Sequence, residues 1–267
     1  MTQVRIDQTN NFHAPQLGNN RNLIVFLPPR YARETPTRYK VLLLNDGQDW
    51  KALRIKETLE RLYAADCIEP VIVVAIPTNS NRLNEYGTAQ PLDYLGRGAQ
   101  AAAYTRFVID TLLPFIQARY RVRTGAMNTA FLGASLGGLS AFDIAWHHPQ
   151  HIGTVGVFSG SFWWRTASAT VLARTTSRIA HQLVRQGKKR PNMRFWFQVG
   201  TLDEKDDRDK NGVIDAIQDT TELIDELVRK DYERGRDIVY LQVEGGQHHP
   251  STWASVFDQF LLFAFGR

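Results

Sequence analysis

Hydrophobic positions fall into short unbroken runs, separated by longer stretches in which they recur every three or four residues. "NLIVFLP" (22–28), "YKVLLLNDG" (39–47), "PVIVVAIP" (70–77), "NTAFLGAS" (128–135), "GTVGVFSG" (153–160), "RFWFQVG" (194–200) and "DIVYLQVEG" (237–245) read as strands. Several are apolar on successive residues, as strands are when both faces of a sheet are covered. Tyr104, Phe107, Val108, Leu112, Phe115 and Ile116 recur at helical spacing within 100–119, and Ile217, Ile224, Leu227 and Val228 within 215–230. A further apolar helix is expected from about Thr252 to Phe265. Alternating strand and helix predict an α/β chain, with a mostly parallel central sheet and helices on both faces. The first one or two strands are expected to pair antiparallel at one edge. No repeat or long linker divides the chain, so residues 1–267 are expected to form a single domain, with 161–192 a small helical excursion and little or no cap.

One junction changes this from a fold into a chemistry. Gly133, Ser135 and Gly137 form G-x-S-x-G where "TAFLG" runs in as a strand and "LGGLSAFDIAWHHP" runs out as a helix, ending before Pro149. A one-residue strand-to-helix corner is sharp, and side chains two positions before and after the serine would clash, so glycine fits there. The hydroxyl then stands above the carboxyl end of the sheet, at a helix start whose N–H groups point the same way. That geometry suits a nucleophile attacking an acyl carbonyl. The plainer alternative is a serine that caps the helix.

A serine hydroxyl needs a neighbouring base, and on this kind of sheet the order is serine, acid, histidine. "RFWFQVGTLDE" supplies Asp203 after a late strand, with Glu204 and Asp206 as rivals. "VYLQVEGGQHHPSTW" supplies His248 and His249 after the last strand. His13, His147, His148, His151 and His181 lie where the mechanism has no use for them, and the "HHP" at 147–149 reads as a helix terminus.

The chain resembles the esterase family of α/β hydrolases that includes esterase D, enterochelin esterase, some feruloyl esterases and the mycolyltransferases. The resemblance runs through "VLLLNDGQDW" (41–50), "NRLNEYG" (81–87), "FVIDTLLPFIQARYRV" (107–122), "GASLGGLSAF" (133–142), "VGVFSGSFWW" (155–164), "VGTLDE" (199–204) and "GGQHHPSTW" (245–253). It implies the α/β-hydrolase fold and a serine carboxylic ester hydrolase. The family's histidine stands five residues before a tryptophan, and five before Trp253 is His248.

The oxyanion of acyl transfer needs preorganised N–H donors. The amide of Leu136, just after the nucleophile, is one. The resemblance puts the other at Gln48, in "NDGQDW", where Gly47 would let the backbone approach closely; a plain Asp-Gly turn is the alternative. Trp50, Trp163 and Trp164 fall in loops at the carboxyl side of the sheet, where they line a pocket or merely pack. Arg82 and Glu85 are expected to pair and brace a loop, with substrate contact second.

"DRDKNGVID" (207–215) matches most of a calcium loop, with Asp207, Asp209, Asn211, the Val213 carbonyl and Asp215 at alternate positions and Gly212 at the sharp turn. Gln218 stands where the bidentate glutamate belongs, and no helix precedes the loop. A structural Ca²⁺ and a solvated acidic turn both remain open. No organic cofactor is expected.

Composition narrows the setting. Of 267 residues, 43% are hydrophobic and 22% charged, as in ordinary globular chains. The formal net charge of +5 is scattered apart from the short "RQGKKR" (185–190), so a small-molecule ester is the expected partner and nucleic acid is not. No run reaches membrane-spanning length, and "MTQVRIDQTNNFHAP" lacks an apolar leader segment. Cys67 is the only cysteine and is expected to be a buried thiol; the cytoplasm is the expected location. Oligomeric state, acyl group and leaving group are not indicated. An acyltransferase on the same triad, a narrower hydrolase of siderophore trilactones or S-formylglutathione, and a non-catalytic binding module remain as alternatives.

Overall fold

The computed structural model describes residues 3–31 and 36–267; the first two residues of the stretch read for a leader lie outside them. Eight strands form one sheet: β1 (Arg5–Ala14), β2 (Asn19–Leu27), β3 (Lys40–Asn45), β4 (Val71–Ile76), β5 (Thr129–Ala134), β6 (Thr154–Phe158), β7 (Arg194–Leu202) and β8 (Ile238–Gln247). Their order across the sheet is β1-β2-β4-β3-β5-β6-β7-β8. β1 and β2 pair antiparallel, β2 meets β4 antiparallel, and every later pairing is parallel. This is an α/β-hydrolase fold.

The apolar runs are continuous because alternate residues feed two cores. Leu43, Val74, Phe131, Val157 and Phe197 join one cluster, and their neighbours Leu42, Val73, Leu132 and Trp196 join the other. Helices α1 (Ile55–Ala64), α2 (Arg82–Glu85), α3 (Ala101–Arg106), α4 (Leu113–Arg119), α5 (Leu136–His147), α6 (Val171–Thr176), α7 (Ile179–Gln186), α8 (Asp215–Val228) and α9 (Pro250–Phe265) divide between these faces. Residues of α3, α4, α5, α7 and α8 pack on the first face, those of α1 and α9 on the second.

Three readings change. β1 was not expected: "RIDQTNNFHA" is polar and mostly uncovered at the sheet edge, so it carries little hydrophobic signal. The helix expected over 100–119 is interrupted by a wide turn at Phe107–Leu112 between α3 and α4. Cys67 is half-buried rather than enclosed. Residues 161–192 do form a helical excursion, tied at its base by a bridge between Arg165 and Arg178. Among the described residues, no helix is long and apolar enough to cross a membrane.

Candidate active site

The register of the parallel strands sets the site. Ala134 lies opposite Phe158, and the Ser135 amide donates to the Phe158 carbonyl at 2.9 Å. The Ser159 amide in turn donates to the Gln198 carbonyl at 2.7 Å. Leu202 lies opposite Gln247, across an irregularity after Gly200, so Asp203 and His248 emerge side by side from β7 and β8. Ser135, Asp203 and His248 therefore all leave the same end of the sheet, with β6 and β7 between the serine and the histidine.

Ser135 is the corner between β5 and α5, with φ 55° and ψ −127°. Such a backbone costs on the order of 1–3 kcal/mol in a non-glycine residue and persists only when its surroundings enforce it. They do: a Cβ on Gly133 would sit 2.2 Å from the Gly137 carbonyl oxygen, and one on Gly137 would sit 2.6 Å from an Asp46 carboxylate oxygen. The Ser135 side chain caps nothing; its Oγ lies 3.3 Å from the Ser161 hydroxyl. No hydrogen bond to His248 is formed.

The Asp203 carboxylate is buried, and neither oxygen has a hydrogen-bond partner among the described residues. Burial raises its pKa above the usual carboxylate range; the Ser159 hydroxyl, the Gly200 amide and His248 oppose the rise. The Ser159 hydroxyl is near but not in hydrogen-bonding geometry, and it accepts from Trp253 Nε1 at 2.9 Å. The His248 ring remains open to solvent, edge-on to Trp253 with centroids 5.4 Å apart. Partial desolvation holds its pKa below the ordinary imidazole value, with Asp203 pulling it up and Arg82 pushing it down. His249 caps α9: its Nδ1 accepts from the Ser251 amide at 3.2 Å and meets the Ser251 hydroxyl at 2.8 Å. The rival Glu204 sits against the start of α8, its pKa pushed up to about 7 by burial, and the Asp206 carbonyl binds the Asp215 amide.

The loop after β3 stands across from the serine. Asp46 adopts a left-handed backbone, φ 55°, and Gly47–Asp49 make a single tight turn. A Cβ on Gly47 would lie 2.5 Å from the Ile76 nitrogen. Among the described residues, neither the Leu136 nor the Gln48 amide donates to a protein acceptor. One bond ties this loop to the serine corner, and others brace it from the 82–104 segment. Asn45 Nδ2 donates to the Gly137 carbonyl at 2.8 Å, and the Tyr104 hydroxyl donates to Asn45 Oδ1 at 2.6 Å. The Asp46 amide donates to the Tyr86 hydroxyl at 3.1 Å. Arg82 holds Asp46 bidentately through one guanidinium edge, Nε donating to Oδ1 at 2.8 Å and Nη2 to Oδ2 at 2.7 Å. The expected Arg82–Glu85 pair is thus corrected. Glu85 is wholly buried and pairs with Arg21 from β2. Arg82 pairs with Asp46 instead.

The tryptophans separate. Trp50 is half-buried and packs edge-on against Phe26 at 5.4 Å, beside the second core. Trp164 is fully buried, close beneath Gly87 and Gly98, and forms a floor rather than a surface. Trp163 is half-buried and lines a polar cavity of about 680 Å³ with Tyr94, Arg97, Arg165, Arg174, Glu204 and neighbouring residues of the 206–215 loop.

That loop is ordered by its own hydrogen bonds. Asp207 accepts from the Asn211 and Gly212 amides at 3.1 and 2.9 Å, and Asp209 from Gln218 at 2.9 Å. Asn211 Oδ1 accepts from the Val213 amide at 2.8 Å, and Asp215 from the Arg208 amide at 2.9 Å. Among the described residues, no three His, Cys, Asp or Glu side chains gather as a metal site. Arg208 pairs with Asp215 and shares the buried Asp219 carboxylate, just beyond the loop, with Arg178. The hydrogen bonds above join Asp207, Asp209, Asn211, Val213 and Asp215, the residues of the expected calcium loop, to amides and side chains of the loop and of the helix that follows it.

The family model described as "Putative esterase" matches residues 14–264. The chain belongs to that esterase family. It is classed with ester hydrolases of the carboxylesterase type. It is 23% identical over 256 residues to the uncharacterized protein YbbA of Bacillus subtilis (strain 168), covering 93% of this chain and 94% of that one. It is 29% identical over 157 residues to the iron(III) enterobactin esterase of Dickeya dadantii, covering 58% of this chain and 33% of that one. The enterobactin esterase FES of Shigella flexneri superposes with a TM-score of 0.75 at 20% identity, over 99% of this chain and 59% of that one. A ferulic acid esterase superposes with a TM-score of 0.76 at 19% identity, over 99% of this chain and 98% of that one. The chain thus spans just under three fifths of the Shigella enzyme.

Sequence reasoning missed Ser159, Ser161, Asn45 and Tyr104. Ser159 and Ser161 lie within "VGVFSGSFWW", a stretch marked only for its resemblance, and the Asn45 and Tyr104 contacts join residues 59 positions apart.

Proposed function

We propose that this chain hydrolyses carboxylic esters through Ser135, His248 and Asp203, by way of an acyl-enzyme. The observation that supports this most is the enforced left-handed corner at Ser135, above the same sheet end as a buried, unpartnered Asp203 carboxylate and the adjoining imidazole. A carboxylate without a partner in that position is satisfied when the imidazole N–H turns onto it, which also orients the other ring nitrogen toward the serine.

His248, neutral at physiological pH because its pKa is lowered, takes the Ser135 proton as Oγ attacks the ester carbonyl. The two free amides, Leu136 and Gln48, meet the developing alkoxide. Protonated His248 then gives its proton to the departing alcohol. Water, deprotonated by the same imidazole, releases the acid. Asp203 stabilises the imidazolium in both halves. The test is hydrolysis of p-nitrophenyl acetate by wild type and by Ser135→Ala, His248→Ala and Asp203→Asn, each checked for folding by circular dichroism. The serine and histidine variants should lose on the order of 10⁶-fold in kcat and Asp203→Asn roughly 10⁴-fold. Full activity in a folded Ser135→Ala protein contradicts the reading.

A further inference from the structure

The polar cavity lined by Trp163 and Glu204 holds two cations without an ion pair among the described residues. Arg97 is paired with Asp93 and lies over the Trp163 and Trp164 rings, at 5.1 and 5.0 Å. Arg208 is paired with Asp215 and Asp219. Arg165 and Arg174, by contrast, form no ion pair among the described residues, and the Nε of each is buried without a hydrogen-bond partner. Arg165 reaches only the Trp163 carbonyl and the Ser168 hydroxyl, both at 3.5 Å, and lies 5.5 Å over the Tyr94 ring. The loop is fixed under it, since the Tyr94 amide donates to the Arg165 carbonyl at 2.9 Å.

Each of these half-buried arginines keeps a buried Nε without a partner, which a ligand with a carboxylate would complete. Among the described residues, none of the acids that line the cavity, Asp206 included, pairs with Arg165 or Arg174. Asp207 is spent on backbone amides and Asp215 on Arg208. Glu204, whose pKa burial pushes up to about 7, is only partly ionised near neutral pH, and one of its oxygens is also without a partner. The lining divides by segment: Tyr94, Arg97, Trp163, Arg165 and Arg174 come from residues 94–174, and the acids, with Arg208, from 204–215. The acidic segment favours a singly charged guest over a dianion.

The cavity also belongs to the catalytic end. Ser161, whose hydroxyl touches that of Ser135, is four residues before Arg165, and four residues span at most about 14 Å of chain. Glu204, in the other lining segment, adjoins Asp203.

We infer that the Arg165–Arg174 wall binds a carboxylate carried by the ester substrate, so that the preferred substrates are acidic esters with a flat or aromatic body against Trp163 and Tyr94. This rests on the hydrolase reading and adds its substrate class.

Two matched pairs test it: 4-acetoxybenzoate against 4-acetoxybenzamide for an acid in the leaving group, and mono-4-nitrophenyl terephthalate against 4-nitrophenyl 4-carbamoylbenzoate for an acid in the acyl group. In one pair at least, wild type should favour the acid by about 10- to 100-fold in kcat/KM, the worth of one or two charge-assisted hydrogen bonds. Arg165→Gln and Arg174→Gln should each cut that ratio about tenfold, and the double variant should bring it near one. Ratios near one in both pairs, or a ratio that survives the double substitution, overturn the inference. Should no ester turn over, calorimetric binding of 4-hydroxybenzoate against 4-hydroxybenzamide decides separately. Binding of the acid alone, lost in the double variant, supports the anion wall while the hydrolase reading fails; no preference for the acid overturns the wall.

Discussion

Replacing Arg82 with methionine removes the grip on Asp46 while keeping most of the side-chain stem. Two charge-assisted hydrogen bonds of 2.8 and 2.7 Å are lost, and so is the cation over the Tyr86 ring at 5.2 Å. Asp46 is left nearly buried: its side chain is 9% exposed, that of Arg82 30%. Breaking a fully buried pair costs about 3–5 kcal/mol, whereas an exposed pair is worth about 0–1 kcal/mol. With one partner partly in water, about 2 kcal/mol is expected, or roughly 4–8 °C in melting temperature for a chain near this size. Activity should fall further. Asp46 holds its left-handed backbone directly before Gly47 and Gln48, and its free carboxylate would relax away from Gly137. Losing an oxyanion donor outright costs about 10²–10³ in kcat; displacing one should cost about 10- to 100-fold. Saturation kinetics on p-nitrophenyl acetate and thermal melts read both effects. Asp46→Asn and the double variant complete a thermodynamic cycle, which should show coupling because each single change already breaks the same contact. Wild-type kcat and melting temperature in Arg82→Met, or losses that simply add to those of Asp46→Asn, refute the brace.

Gly133→Ala should destabilise by about 1–3 kcal/mol or more, because its new carbon meets backbone at 2.2 Å; an unchanged urea midpoint contradicts the corner geometry. The pH profile of kcat/KM should rise with a midpoint below the ordinary imidazole value of about 6.5, since the active base is neutral and desolvation lowers its pKa. A midpoint above 7 would mean a different base, or a histidine held charged by Asp203. EDTA should leave the melting temperature unchanged, and restoration by added calcium of a stability lost to EDTA would show that the 207–215 loop does hold an ion.

What was legible in the sequence follows from how local each signal is. The corner at Ser135 could be read because its requirements are written within five residues, as glycines at 133 and 137 between a strand and a helix. The central strands were legible because both faces are covered, and β1 was not, because an edge strand needs few apolar residues. Contacts between distant segments were illegible. Arg82 and Glu85 are three residues apart and of opposite charge, yet each finds its partner elsewhere, in Asp46 and Arg21. The acidic 207–215 loop has the spacing of a cation site, but its Asp215 pairs with Arg208 inside the loop, and Arg178, far before it, pairs with Asp219 just beyond it. Aromatic residues gave no signal of their own: adjacent Trp163 and Trp164 divide into a cavity wall and a buried floor, according to which side of the chain Gly87 and Gly98 cover.

The account stands on Ser135 being made nucleophilic by His248. Fluorophosphonate labelling followed by peptide mass spectrometry measures this directly, since the probe reports both which hydroxyl reacts and how fast. A single adduct on Ser135, formed at least about 10³-fold more slowly in His248→Ala, is the predicted result. An adduct on the neighbouring Ser161, or labelling of Ser135 at the wild-type rate without His248, would contradict it.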